Sequence, residues 1–261
     1  MFNMQGEYIA DRLMVRMLRD IAGQRGLDFR SFSDDWILEL SDHRQVRRTI
    51  GYRFDVNNSA ASMIAQDKVA THLILNKNNI DSVPHALVRT KVSDINTDVL
   101  QEWDQIVMKP LIGTSGHGVR VFQNSSDAQR YIEDSSIHAW AASPFIDAWT
   151  ETRIVMLDET VLLAYEKQPI EIHGLKMFNL GLGGTSVDIT PNEKTLQLAR
   201  SARSALGLRL CAVDILKADD GSELVLEIND AVMMEHYSRQ SDENERRVRT
   251  VYERIVEKMF T

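Results

Sequence analysis

The sequence is poor in cysteine and proline and has no long hydrophobic run. Its one cysteine, Cys211, excludes an internal disulfide and a metal site built from several thiolates. Because Cys211 lies in the apolar run CAVDIL, we interpret it as a core residue and not as a nucleophile. No apolar run approaches the roughly 18 residues that a membrane-spanning helix needs. Glu7 and Asp11 interrupt the segment where a signal peptide is apolar. These absences predict a soluble, cytoplasmic protein.

Positive charge is also in deficit. The chain has 30 Lys and Arg residues against 38 Asp and Glu residues, a net charge of −8, and no long basic run. Nucleic-acid backbones and anionic lipids are bound by clustered Lys and Arg, so we expect neither nucleic acid nor a membrane as a partner. With 43% hydrophobic and 26% charged residues, the composition is that of a globular protein. A chain of 261 residues suffices for one large domain or for two to three lobes.

The first half of the chain mixes helical and strand patterns. Apolar residues at helical spacing predict one helix over residues 7–24 and a second over residues 60–78. Short strands are expected around residues 29–32 and 36–40, so that residues 1–57 form a small αβ unit. The segment QIVMKPLIGTSGHGVRVF then predicts a strand, a glycine-rich turn and a second strand.

The second half of the chain is richer in strands. RIVML and VLLAYEK predict a hairpin that turns at Asp158-Glu159, and CAVDILK and ELVLEIN predict another that turns at ADDGS. Two helix starts are expected, at a capping box of Ser126 with Gln129 and at Pro191 as the first helical residue.

A lysine and three glycines form the first group that could bind a ligand. Lys109 ends a strand, and Gly113, Gly116 and Gly118 follow it in the turn. Glycines let backbone amides approach an anion, and lysine adds a charge suited to phosphate. The spacing lacks the Lys-Ser/Thr pair of a Walker loop, and no helix opens after it as in a dinucleotide-binding motif. Phosphate binding and a simple glycine-rich hairpin with a surface lysine are therefore both open.

Two carboxylates and an amide form the second group. Glu227 and Asn229 are two residues apart on one strand and so face the same side, and Asp214 lies across the hairpin from them. Hard oxygen donors of this kind suit Mg²⁺, and acids in otherwise apolar strands are costly to bury without a partner. The pattern predicts a magnesium site; the alternative is that this face of the sheet is solvated.

The third group contains Arg153, Lys167, Asn179 and the pair Gly183-Gly184. Arg153 opens one strand and Lys167 closes the next, which allows both side chains to point into one cleft. Taken singly, each is more simply a surface residue. Their order relative to the first two groups makes them candidates.

In this order the motifs resemble an ATP-grasp enzyme of the RimK-like branch. The similar segments, within residues 59–230, are DKVATHLILNKNNIDSVP, IVMKPLIGTSGHGVRVF, SPFIDAWTETRIVMLDETVLLAYEKQ, FNLGLGGTSVDIT and LGLRLCAVDIL with ELVLEIND. No segment is specific alone; their order and spacing carry the resemblance. It implies an α/β (α+β) fold whose two lobes grip ATP. We expect a reduced N-terminal unit over residues 1–57, a small lobe over residues 58–142 and a large lobe over residues 143–261.

The resemblance also implies roles for individual residues. Lys68 and Lys109 match lysines that contact ATP phosphates, and Arg153 and Lys167 match basic positions that face them. One or two Mg²⁺ ions, with Mn²⁺ as an alternative, would be held by Asp214, Glu227 and Asn229. Further nucleotide contacts are implied at four places. The mobile loop would supply Gly113, Ser115, Gly116, His117 and Gly118, and the adenine hinge Ser143, Phe145 and Ile146. Glu151 would be the ribose-binding acid, and Asn179 would contribute from the glycine-pair segment. For His117, a solvent-facing position is equally open.

Three features depart from the family pattern. The hinge begins Ser143-Pro144 where Gln-Glu is common, and Pro144 has no N–H to donate. Leu182 stands before the glycine pair, where a basic residue is frequent. The metal strand continues NDAVMMEHYSRQ in place of the usual Ser-Pro-Gly. The last two changes touch the substrate side, so glutamate-ligase activity is not carried over from the resemblance.

A polar cluster follows the metal strand and has two open interpretations. The cluster consists of Glu235, His236, Tyr237 and Arg239. It either binds the charged ends of a substrate or forms an exposed loop before a final helix.

The function implied by the resemblance is ATP-dependent carboxylate–amine ligation. ATP would phosphorylate a carboxylate, an amine would capture the acyl phosphate, and ADP and phosphate would be released. The substrates would be a small-molecule or peptide carboxylate and an amine, and a homo-oligomer is left open. Two alternatives are kept: a small-molecule kinase on the same fold, and a nucleotide-binding regulatory protein whose chemistry has decayed.

Overall fold

The computed structural model describes residues 11–89, 98–113, 118–172 and 175–261. Three residues of the predicted glycine-rich loop, Ser115, Gly116 and His117, lie outside these ranges. Within them, no helix combines the length and the apolar character needed to cross a bilayer.

Helices and strands alternate irregularly along the described chain. The helices are α1 (Leu13–Arg25), α2 (Ser59–Gln66), α3 (Lys68–Lys77), α4 (Ser125–Glu133), α5 (Glu193–Leu206), α6 (Glu235–Ser238) and α7 (Asp242–Met259), with 3-10 turns at Asp98–Glu102 and Leu180–Leu182. The strands are β1 (Asp28–Phe32), β2 (Ile37–Ser41), β3 (Val46–Ile50), β4 (Arg53–Phe54), β5 (Ala86–Arg89), β6 (Ile106–Pro110), β7 (Arg120–Phe122), β8 (Ala139–Pro144), β9 (Ala148–Leu157), β10 (Thr160–Lys167), β11 (Ile170–Ile172), β12 (Leu175–Met177), β13 (Ser186–Asp188), β14 (Leu210–Ala218) and β15 (Glu223–Asn229).

Three antiparallel sheets organise these elements. An N-terminal sheet has the order β1-β2-β3-β4, a central sheet the order β13-β10-β9-β14-β15, and a small sheet the order β5-β8-β6-β7. Strands β11 and β12 form a separate hairpin. We call α1 together with the N-terminal sheet the N-terminal unit.

Alternation of side chains gives the central sheet two buried faces. One face, which includes Val155 and Leu163, packs on α1 and α7. The opposite face, which includes Met156 and Val213, packs on α2, α3 and α5. The residues of α2 and α3, which the sequence analysis groups with the small lobe, thus contact α5 and β15 of the central sheet.

The small sheet packs one face on α4. Met108 and Trp140 meet Ile132 of that helix in a separate core. Lys109 and Ser143 alternate with core residues along β6 and β8, so their side chains point to the opposite face.

Both hairpins predicted for the second half of the chain are present. Strands β9 and β10 pair around Asp158, and β14 pairs with β15 around a turn in which Gly221 has a φ of 80°. A positive φ is readily adopted by glycine, which explains the residue at this turn. Helix α5 ends before Gly207, which has a φ of 69°.

The helix predicted over residues 60–78 is two helices. The Asp67 side chain accepts hydrogen bonds from the N–H groups of Val69 and Ala70, at 3.0 and 2.9 Å. Aspartate is a preferred N-cap, so this local contact starts a new helix although the apolar spacing continues. The break places Lys68 in the first turn of α3.

Two other helix starts differ from the sequence prediction. Asn124 caps α4, so the predicted capping box of Ser126 with Gln129 is wrong. Asn192 caps α5, so Pro191 precedes the helix and is not its first residue. In both cases an asparagine side chain accepts the free backbone N–H that the helix start exposes.

The N-terminal unit is fastened to the segment that follows β15. The Glu235 carboxylate, 1% exposed, accepts hydrogen bonds from the N–H groups of Leu13 and Met14, each at 3.0 Å. Arg239 donates to the Asp11 carbonyl oxygen at 2.8 Å and to Glu235 at 3.4 Å. Glu235 is therefore neither a free substrate ligand nor part of an exposed loop: it caps α1.

Replacing Glu235 with alanine is expected to destabilise the protein. The change leaves two buried helix N–H groups without acceptors, at about 1–3 kcal/mol for each. Chemical denaturation would measure the fall in the free energy of unfolding. Glu257→Ala, on an exposed position of α7, serves as the control and should change little. A Glu235→Ala protein as stable as the control would contradict this account of the cap.

Candidate active site

A buried ion cluster lies on the central sheet. Asp214 on β14, fully buried, pairs in register with Arg153 on β9 and with Glu227 on β15. Arg153 binds both oxygens of Asp214, with Nε–Oδ1 at 2.7 Å and Nη2–Oδ2 at 2.5 Å. The Nζ of Lys167 lies 3.2 Å from Asp214 Oδ1 and also donates to Glu151. The predicted Arg, Lys and Asp residues thus meet on one face of the sheet, which we call the site face.

The strand pattern explains why these charges come together. Glu151 and Arg153 are two residues apart on β9 and share a face with Val155, which belongs to the core under α1 and α7. Lys167, opposite Glu151 on β10, continues the polar end of this face. The site face therefore changes from apolar to charged along the strands, and the charged end is the candidate site.

Opposite charges within the cluster outweigh the cost of burial for Asp214 and Lys167 but not for Glu151. Burial disfavours ionised Asp214, but Arg153 and Lys167 hold the pKa of its carboxyl well below the usual value. Burial and Arg153 act to lower the pKa of Lys167, yet Asp214 and Glu151 raise it above its usual value. For Glu151 burial dominates and raises the pKa to about 7, although Lys167 opposes the shift. Glu151 is a partner of Lys167 in this structure, and its contact with ribose stays a prediction.

The three predicted metal ligands are in mutual contact. Asn229 Nδ2 lies 3.1 Å from Asp214 Oδ2 and 3.0 Å from Glu227 Oε1. Among the described residues no three His, Cys, Asp or Glu side chains form a metal site, so the set reaches three donors only through the Asn229 amide. Here the Asn229 amide nitrogen faces the two carboxylates; with the amide turned over, its Oδ1 would join their oxygens as a third hard donor for a cation. The donor set therefore fits Mg²⁺.

Two lysines approach this cluster from the other side of a cleft. Lys68 Nζ donates to the Gly113 carbonyl oxygen at 3.1 Å, and Lys109 has no hydrogen bond or ion pair with any described residue. Burial lowers the pKa of both lysines, and the charge of Lys68 lowers that of Lys109 further. Glu227 acts on both in the opposite direction, so the lysines face the metal-ligand strand. The cleft therefore places two lysines that form no ion pair with a described carboxylate opposite a cluster of acids.

The predicted hinge follows directly from β8. Ser143 pairs with Val107 in the small sheet, and the Phe145 N–H donates to the Gln105 carbonyl oxygen at 3.0 Å. Because Pro144 has no N–H and that of Phe145 is used, an adenine would have to be held by other backbone groups. Ile146 packs against a small core formed by Val83, Ala148 and Leu216. The nucleotide contacts of this segment stay predictions.

The glycine-pair segment lies beside Lys167. Ser186, just after this segment, pairs in register with Lys167. Asn179 accepts a hydrogen bond from the Gly181 N–H at 2.8 Å, and a Cβ at Gly184 would lie 2.8 Å from the Asn179 carbonyl oxygen. No side chain fits there, which explains the glycine. Of the predicted phosphate loop, Gly118 has a φ of 73°, which also favours glycine.

Sequence reasoning missed His85, which lies on the lysine side of the cleft. It is 5% exposed; its Nδ1 donates to the Val83 carbonyl oxygen at 2.9 Å, and its Nε2 has no partner among the described residues. Burial, reinforced by the charge of Lys109, lowers the pKa of His85 to about 3. A single histidine after a proline carries no pattern from which this position could be predicted.

Neutral His85 should make the folding free energy depend on pH. Its folded-state pKa of about 3 lies below the ordinary 6.5, so between these values the unfolded chain binds more protons. His85 therefore contributes stability above pH 6.5 that is lost as the pH falls toward 3, by up to about 1.4 kcal/mol per pH unit. Denaturation between about pH 4.5 and 7 should give a flatter curve for His85→Leu than for the exposed control His138→Leu. Parallel curves for the two variants would refute the assignment.

The sequence and the fold of the chain were compared with those of known proteins. The model of the family described as RimK-like ATP-grasp domain matches residues 65–247. A probable alpha-L-glutamate ligase of Shewanella halifaxensis is 27% identical over 69% of this chain, which spans 40% of that protein's length. One of Picosynechococcus sp. is 31% identical over 70% of this chain, which spans 61% of that protein's length. The D-alanine–D-alanine ligase of Bacillus anthracis superposes with a TM-score of 0.61 at 17% identity, over 78% of this chain and 70% of that one, which supports the fold. The chain belongs to the RimK-like ATP-grasp family and has the ATP-grasp fold.

Proposed function

We propose that this protein is an ATP-dependent carboxylate–amine ligase that uses Mg²⁺. The observation that carries the proposal is the cleft in which Lys68 and Lys109 face Asp214, Glu227 and Asn229 and form no ion pair with any carboxylate among the described residues. A triphosphate fits such a cleft because lysines bind phosphate oxygens and a hard-oxygen site holds the accompanying cation. The names of the relatives, which include ligases that form amide bonds, support the same reaction class.

The residues of the cleft divide the work by position. Lys68, at the start of α3, and Lys109, on the small sheet, would bind phosphate oxygens, and Arg153 and Lys167 would supply positive charge from the central sheet. Mg²⁺, when bound by Asp214, Glu227 and Asn229, neutralises phosphate charge and orients the phosphate oxygens. Four cationic side chains would then surround the phosphates, which favours the transfer of a phosphoryl group.

The proposed reaction needs no protein nucleophile. A carboxylate oxygen of the acid attacks the γ-phosphorus of ATP, the bond to ADP breaks, and an acyl phosphate forms. The amine then attacks the acyl carbon, phosphate leaves, and the amine gives up a proton. Cys211 cannot serve as a competing nucleophile because it is fully buried and burial raises the pKa of its thiol to about 12.

The reaction class can be tested without knowledge of the natural substrates. Purified protein, Mg²⁺ and ATP are offered to pools of amino acids, peptides and organic acids, and nucleotides and products are separated by chromatography. ADP together with an amide is the expected result. Formation of AMP and pyrophosphate would overturn the proposal. So would ADP formation that requires an alcohol substrate and no amine.

Replacing Lys109 with methionine should separate activity from stability. Turnover is expected to fall by about 100-fold or more, because a cation that contacts the transferred charge is lost. Lys109 is a cation that has no ion-pair partner among the described residues, and its charge repels that of Lys68. Its removal should therefore leave the midpoint of thermal unfolding unchanged or raise it.

Lys194→Met, at an exposed position of α5, is the matched control and should leave both the turnover and the midpoint of thermal unfolding unchanged. A Lys109→Met enzyme that retains full turnover would show that the phosphate site lies elsewhere. A strong loss of stability in that variant would show that Lys109 has a structural partner.

A further inference from the structure

The chain just beyond the metal-ligand strand is held by the N-terminal unit. β15 ends at Asn229, and the Oδ2 of the next residue, Asp230, accepts a hydrogen bond from Arg53 Nε at 2.7 Å. Two residues later, the Val232 N–H donates to the Tyr52 carbonyl oxygen at 3.0 Å. Arg53 and Tyr52 both precede the part of the chain that matches the family model. A proposed metal ligand is thus followed directly by contacts to another unit.

Consecutive side chains at this point are fixed on opposite faces of the central sheet. Asn229 contacts Asp214 and Glu227 on the site face. Asp230 points the other way, because Ile228, two residues before it, belongs to the core on the opposite face, whereas Asn229 pairs with Ala212 of the core on the site face. With one side chain held on each face, the backbone between them has little freedom to turn the Asn229 amide out of the site.

The ion pair between Arg53 and Asp230 joins the two units at a cost in desolvation free energy. The Asp230 side chain is 3% exposed and that of Arg53 35%, and an ion pair with a buried carboxylate seldom stabilises a protein more than apolar side chains of similar size would. What a charged, hydrogen-bonded pair adds is a defined direction, because a carboxylate accepts the Arg N–H only in a narrow geometry. The cost is explained if the direction of Asp230 matters.

We propose that Arg53 is a positioning residue of the metal site: through Asp230 it fixes the orientation of Asn229, so that the N-terminal unit sets the affinity for the divalent cation. The inference rests on the proposed function, which makes Asn229 a metal ligand. It also gives a physical reason for the aspartate that departs from the family pattern after Asn229.

Metal binding, measured without turnover, tests this role. Mn²⁺ is titrated into the full-length protein in the presence of ADP and followed by electron paramagnetic resonance. Arg53→Met is expected to weaken Mn²⁺ binding by about 10- to 100-fold, as is usual when a residue supporting a metal ligand is lost, and Arg53→Lys should restore part of it. Arg48→Met, which breaks the exposed Arg48–Glu39 pair of the same unit, is the matched control and should bind as the wild type does.

A double variant keeps the test informative if the single one is unstable. Arg53→Met combined with Asp230→Leu removes both charges, so it should regain stability while binding Mn²⁺ as weakly as Arg53→Met alone. Wild-type affinity in either folded variant would overturn the positioning role and leave the ligase proposal intact. If the wild type itself bound no Mn²⁺ with ADP, the metal site would be misassigned, and this role would fall with it. A wild type that binds Mn²⁺ but ligates no substrate would instead count against the proposed function alone.

Discussion

The contact between Arg153 and Asp214 is the interaction on which the candidate site depends. A carboxylate as deeply buried as Asp214 is tolerated only when cations and hydrogen-bond donors satisfy it. Arg153 takes both oxygens, and Lys167 and Asn229 each add one further contact. Since these three partners come from β9, β10 and β15, one carboxylate on β14 fixes the relative positions of the central-sheet strands that carry the ion cluster.

The core and the site are two halves of one sheet surface. On the site face, β9 passes from Glu151 and Arg153 to Val155 and Leu157, and the apolar half is covered by α1 and α7. The N-terminal unit lies over that half and also contacts the chain that follows β15, where Arg53 binds Asp230 and the N–H groups of Leu13 and Met14 bind Glu235. A small unit is sufficient for this purpose because it has only half of a face to cover.

The sequence predicted those parts of the structure that depend on neighbours along the chain. Alternation within β15 placed Glu227 and Asn229 together, and the hairpin turn brought Asp214 opposite them. The role of Glu235 was not predictable, since the helix start that it caps is 222 residues away. Strand β3, with the sequence VRRTI, was missed because its charges hide the alternation. The break before α3 was missed because apolar spacing outweighed the capping tendency of one aspartate.

The two sides of the cleft differ in how their charges are satisfied. On the central sheet the carboxylate of Asp214 is matched by cations, whereas Lys109 on the small sheet has no such partner among the described residues. Holding Lys109 and Lys68 near each other costs free energy as long as no anion lies between them. We expect a bound anion to remove this cost and so to stabilise the folded state. Because two lysines lie near each other, the arrangement favours an anion with more than one negative charge.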